Sequence, residues 1–165
     1  MGNTTILCVD DDSTVLSALR SLLSKHAGAG ATIEIAESGE EALEIADDLH
    51  KDGQALAVVI ADYIMPGMKG DELLVRLHER SPDTVKIMLT GQSDLNGVRR
   101  AINEARLYRF LEKPFNNADL VMTVNSAAGA YAQARQTAEE IAQLRAETQA
   151  LSERLVRCDC PEHKD

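Results

Sequence analysis

The chain has 165 residues, 44% of them hydrophobic but only 3% aromatic and none tryptophan, enough for one compact aliphatic core plus an appendage. A formal net charge of −10 argues against broad binding to the phosphate backbone of nucleic acid. No apolar run approaches the ~20 residues needed to cross a bilayer. The start, MGNTTILCVDD, lacks a basic stretch followed by a long apolar one. Ile6 also stands where a myristoylation site needs Ser or Thr, so neither export nor lipid anchoring is expected and a cytoplasmic location is the default.

The first predicted strand, Ile6–Val9, runs straight into Asp10-Asp11-Asp12-Ser13-Thr14. Three adjacent carboxylates repel and raise one another's pKa unless a cation sits among them. Asp12 or Ser13 is also placed to cap a helix whose apolar stripe is Val15, Leu16, Leu19, Leu22 and Leu23. A second strand, Thr32–Ala36, leads to Ser38-Gly39-Glu40-Glu41, which fits a capping box for a helix carrying Ala42, Leu43, Ile45, Ala46 and Leu49. The third and fourth strands, Ala57–Ala61 and Val85–Leu89, are nearly continuous in apolar residues, as strands covered on both faces are. Leu73, Leu74 and Leu77 mark the helix between them, and Val98, Ala101, Ile102 and Ala105 the helix after the fourth. A short fifth strand covers Arg109–Leu111. Five β–α units in series predict an α/β fold with a doubly wound five-stranded parallel sheet, because right-handed crossovers place helices on both faces.

From about Ala118 the chain is rich in good helix formers up to Pro161. Ala134, Thr137, Ile141, Leu144, Thr148, Leu151 and Leu155 fall at heptad seam positions. A helix of ~40 residues would be ~60 Å long and would project beyond a small domain. Residues 131–157 are therefore expected to form an extended arm that pairs with a second copy, with a solvated helical linker as the plainer alternative. Cys8 reads as a small buried hydrophobe. The tail, 158–165, places Cys158, Cys160 and His163 close together; three ligands fall short of a closed zinc site, and a disordered tail with free thiols is the competing expectation. Arg99, Arg100, Arg106 and Arg109 form a basic cluster expected to pair mainly with Glu104 and Glu112.

In open α/β sheets functional residues gather beyond the carboxyl ends of the strands. Here those positions hold Asp10 and Asp11 after the first strand, Asp62 after the third, Thr90 after the fourth and Lys113 after the fifth. Clustered carboxylates make a hard oxygen site suited to Mg²⁺. A carboxylate is also a competent nucleophile toward a phosphoryl group, whose transfer depends mainly on neutralising the equatorial oxygens. Metal, Lys113 and the Thr90 hydroxyl match that need, and Gly91 is expected to leave its N–H free to donate.

The segments VDDD, VVIADYIMPGMKGDELL, IMLTGQ and FLEKPF, in this order and spacing, resemble the receiver domain of two-component response regulators across residues 4–130. The resemblance implies a flavodoxin-like strand order 2-1-3-4-5, Asp62 as phosphoacceptor, and Mg²⁺ held by Asp10, Asp11, Asp62 and the backbone carbonyl of Ile64. It implies Thr90 as the switch hydroxyl, Lys113 as the phosphate-binding lysine, Phe110 as the switch aromatic and a cis bond between Lys113 and Pro114. The expected phosphodonor is a histidine kinase or a histidine phosphotransfer protein. Phosphate is expected to shift a two-state equilibrium at the surface of the fourth helix, fifth strand and fifth helix, without making the protein an enzyme beyond its own phosphorylation and dephosphorylation. Residues after Leu155 are too few for an output module, so the expectation is either a receiver with a helical dimerisation arm or the front part of a longer protein. Two alternatives stand beside this reading. Asp10-Asp11-Asp12-Ser13-Thr14 also resembles the nucleophile motif of haloacid-dehalogenase-type phosphatases, with Asp10 as nucleophile, and a receiver fold can serve as a non-phosphorylated scaffold.

Overall fold

The computed structural model describes residues 4–91 and 94–158. Its elements alternate as predicted: β1 (Thr4–Val9), α1 (Ser13–His26), β2 (Ala31–Ala36), α2 (Gly39–Lys51), β3 (Ala55–Asp62), α3 (Gly70–Arg80), β4 (Val85–Thr90), α4 (Leu95–Ala105), β5 (Arg109–Glu112) and α5 (Asn117–Cys158). All strand pairs are parallel, in the order β2-β1-β3-β4-β5. By contact the chain falls into two compact units, Met1–Tyr131 and Ala132–Asp165.

Strand alternation divides the first unit's core into two. Leu7, Val9, Val59, Ala61 and Met88 face α2, α3 and α4, whereas Ile6, Cys8, Val58, Ile60, Ile87 and Leu89 face α1 and the start of α5. Both faces of the central strands are therefore buried, which explains their unbroken apolar runs. Among the described residues no aromatic ring is fully buried; the core is aliphatic and sulfur-bearing, as the composition requires. Each buried Leu of the α1 stripe, Leu16, Leu19 and Leu23, contributes about 1.5–3 kcal/mol. Cys8 is a packed thiol, and its burial pushes its pKa up to about 12.

Local signals set the helix starts. Asp12 caps α1, its Oδ1 accepting the Thr14 N–H at 2.9 Å. At α2 the Ser38 hydroxyl accepts the Glu41 N–H at 3.1 Å, while Glu41 reaches back to the Glu37 N–H at 2.7 Å, one residue earlier than a standard capping box. The α4 stripe differs from expectation. Gly97, Val98, Ala101 and Ala105 face inward, and Ile102, about 100° further round the helix than Ala101, is exposed. Helix α5 runs unbroken to Cys158, with Leu120, Thr123, Val124 and Ala127 buried in the first unit. In the second unit Ile141, Leu144, Leu151 and Leu155 are exposed. No helix among the described residues is long and apolar enough to cross a membrane.

Candidate functional site

Strand register builds the site. Val9 pairs with Ala61, and Asp62 pairs with Leu89, so Asp10 lies beside Asp62 and Thr90 one step further along the same rim. The ladder continues past the strand ends. Asp10 N–H donates to the Ala36 carbonyl at 3.2 Å, Tyr63 N–H to the Leu89 carbonyl at 2.9 Å and Lys113 N–H to the Thr90 carbonyl at 2.7 Å. Backbone hydrogen bonding thus fixes Asp10, Asp62 and Lys113 before any side chain is considered.

Four of the predicted residues converge. Asp10, Asp11 and Asp62 can each direct one carboxylate oxygen into a group whose members lie within 4.8 Å of one another. The Lys113 ammonium stands 3.1 Å from Asp62 Oδ1 and 3.5 Å from Asp10 Oδ2. Asp10 and Asp62 are buried and Asp11 is exposed, so the hollow opens on the Asp11 side. Thr90 ends β4 at 2% exposure. Ile64 lies two residues past Asp62 on the β3–α3 loop, its side chain 60% exposed. The Lys113–Pro114 bond is cis. Phe110 sits on the edge strand at 40% exposure, so its ring faces outward rather than into the core.

Electrostatics describe a site short of positive charge. Burial pushes the Asp62 carboxyl above its ordinary pKa; Lys113 pulls it back down, and the neighbouring charges of Asp10 and Asp11 push it up again. Asp10 Oδ1 accepts the Asp12 N–H at 2.9 Å, but its Oδ2 is buried without a hydrogen-bond partner among the described residues. The Lys113 ammonium, 3.5 Å away, is shared with Asp62, so this buried oxygen is only partly compensated and a further cation would be favourable there. Oxygens around Mg²⁺ lie about 2.9 Å apart in cis and about 4.2 Å in trans, given metal–oxygen distances of about 2.1 Å. The trio is close enough to adopt that spacing with small adjustments, so donor type, a buried oxygen with no hydrogen-bond partner among the described residues, and spacing all fit the ion.

One expectation is corrected. The Gly91 N–H is not free: it donates to Asp94 Oδ2 at 3.1 Å. Arg100 pairs with Glu104 at 3.2 Å as expected, but also with the buried Asp71 at 3.4 Å. Cys158 is exposed, whereas Cys160 and His163 lie outside the described residues.

Sequence reasoning missed Gly70. Its N–H donates to the Tyr63 carbonyl at 2.9 Å, and a Cβ there would press on the Asp62 carbonyl oxygen and approach Tyr63 Cα to 2.9 Å. The α3 start rests on the segment just past Asp62, an approach that only glycine permits. The one available signal was a glycine at a helix start whose cap residue, Lys69, makes no side-chain cap bond.

A family model described as the response regulator receiver domain matches residues 6–125. A protein named sensor kinase CckA, from Brucella abortus (strain 2308), is 36% identical over a stretch covering 74% of this chain and 12% of that protein. The hydrogenase transcriptional regulatory protein HoxA of Cupriavidus necator is 32% identical over 74% of this chain and 24% of its own length. The crystal structure described as adenylate cyclase from Rhodopirellula baltica matches with a TM-score of 0.73 at 33% identity, covering 86% of this chain and 98% of that one. The chain thus spans a quarter or less of these two curated relatives' length. Since one of them is named a transcriptional regulator, the acidity of this segment does not support excluding nucleic acid for the protein as a whole. A rim of acids facing one ammonium on this strand order, together with a family match from residue 6 to residue 125, makes the chain a member of the response regulator receiver domain family.

Proposed function

We propose that Asp62 accepts a phosphoryl group from a histidine kinase or a histidine phosphotransfer protein. In that step the P–N bond of the phosphohistidine breaks, its electron pair returns to the imidazole, and a P–O bond forms to the Asp62 carboxylate. The observation that carries the reading is the placing of the Asp62 carboxylate 3.1 Å from the Lys113 ammonium and within 4.8 Å of Asp10 and Asp11. Lys113 neutralises one oxygen of the arriving group and the Thr90 hydroxyl donates to another. Asp10, Asp11, Asp62 and the Ile64 backbone carbonyl would hold Mg²⁺, which when bound would supply positive charge to offset that of the incoming phosphoryl group.

Receiver domains are phosphoacceptors rather than conventional enzymes and interact with histidine kinases. In this chain any catalysis is confined to its own phosphorylation and dephosphorylation. The new charge draws Thr90 toward it, Phe110 changes position, and the surface of α4, β5 and α5 is altered for a partner. Residues 4–130 carry the receiver, residues 131–157 pair two copies through the exposed seam, and residues 158–165 form a tail. A cytoplasmic location accords with such a donor. Incubation with radiolabelled acetyl phosphate and Mg²⁺ tests the assignment: the wild type takes up label, and Asp62→Asn loses it. Equal labelling of the two proteins overturns the assignment.

A further inference from the structure

We infer that the phenol ring of Tyr63 is a positioning element that couples Asp62 to α4 through its seat on Gly97. The inference rests on Asp62 being the phosphoacceptor, but it concerns a route separate from Thr90 and Phe110. Tyr63 directly follows Asp62, and its backbone is clamped on both sides. Its N–H donates to the Leu89 carbonyl and its carbonyl accepts the Gly70 N–H, each at 2.9 Å. These bonds tie Tyr63 to β4 and to the start of α3, so a shift of the Asp62 backbone is passed to a side chain that has only two rotatable angles.

The ring ends on α4. A Cβ at Gly97 would lie 2.5 Å from Tyr63 Cζ and 2.7 Å from Cδ2, and closer still to Cε2. Glycine is unfavourable inside a helix, and here the space that it leaves is filled by the ring. Lys69 Nζ, 5.7 Å from the ring centroid, adds a cation–π contact on the loop side. The α4 amino end buries Val98 but has few polar ties among the described residues. Asp94 makes no side-chain cap bond to the helix, turning instead to the Gly91 N–H, and the first turn carries no acidic residue. Leu95 is exposed. The ring thus supports this end of α4 together with the buried Val98, with the Arg100–Asp71 pair one turn further on. A phosphoryl group on Asp62 that shifts the adjoining backbone moves the ring against Gly97, and a loosely capped helix responds.

The test records amide chemical shifts of the full-length protein in Mg²⁺ with and without beryllofluoride, and acetyl phosphate labelling of the same samples. Wild type and Tyr63→Phe should change at Thr90, Lys113 and the amides from Gly97 to Arg100. Tyr63→Ala should keep its labelling and the changes at Thr90 and Lys113, yet lose those from Gly97 to Arg100. Wild-type α4 changes in Tyr63→Ala overturn the inference. Should Tyr63→Ala fail to fold, Gly97→Ala displaces the ring from the other side. Shifted Tyr63 ring resonances with a lost α4 response support the coupling, and an unaltered α4 response overturns it. A wild type that neither labels nor shifts at Thr90 removes the phosphoacceptor reading itself, and this inference with it.

Discussion

On β4 the Lys86 ammonium lies at 1% exposure, donating to the Thr84 carbonyl at 2.8 Å and meeting His78 Nδ1 at 3.1 Å. Neither partner is a carboxylate. Burial, then the Arg106 charge, lowers its pKa from 10.5 to about 8, with Asp83 opposing weakly. Between pH 8 and 10.5 the unfolded chain therefore binds more protons at this group than the folded one, so stability rises with pH across that window. Below pH 8 the full cost is present. His78 is lowered too, by burial first and then by Lys86 and Arg106. Its contribution is lost as pH falls below the ordinary histidine value, because the unfolded ring protonates first. Lys86→Met should stabilise the protein at pH 7 by on the order of 2 kcal/mol, the lifted desolvation cost exceeding the lost bond to Thr84, and should abolish the rise between pH 8 and 10.5. Urea denaturation across pH checks this; an unchanged pH slope contradicts it. Gly70→Ala should cost about 1–3 kcal/mol and lower Asp62 labelling, measured by thermal melting and acetyl phosphate uptake, because a methyl there meets the Asp62 carbonyl. Neither Lys86 nor Gly70 announced its role in the sequence. A lysine in an apolar run and a glycine at a helix start acquire meaning only from elements that pack on them.

Among the elements, α5 separates what periodicity can reveal from what it cannot. Its composition made one long helix legible, and the structure has it from Asn117 to Cys158. The two threonines within the heptad seam satisfy their hydroxyls inside the helix. Thr137 donates to the Gln133 carbonyl at 3.0 Å and Thr148 to the Leu144 carbonyl at 2.8 Å, so neither needs water at a paired seam. Full-length protein should therefore sediment as a dimer and a chain ended at Tyr131 as a monomer; equal monomer masses contradict the arm. The strands were legible because buried parallel strands leave unbroken apolar runs, and the α1 and α2 caps because Asp12 and Ser38 act on amides two or three residues away. The inward face of α4 was not. Glycine and alanine fill it, so hydrophobicity alone pointed to Ile102, which is exposed. Gly91 was misjudged because its partner, Asp94, is chosen by the conformation of the turn.

At the scale of the receiver unit, parallel strands in the order β2-β1-β3-β4-β5 bring three acids and an ammonium from separate parts of the chain to one rim. That gathering could be anticipated because each group follows an apolar strand, and parallel strands end on one side. On the proposed reading, added negative charge is tolerated at Asp62 and nowhere else on the rim. The direct measurement treats the full-length protein with acetyl phosphate and Mg²⁺, traps the acyl phosphate with borohydride, and locates the reduced residue by peptide mass spectrometry. Reduction at position 62 is the predicted result. Reduction at Asp10, where a dehalogenase-type phosphatase would carry its nucleophile, or no trapped residue at all, would contradict it.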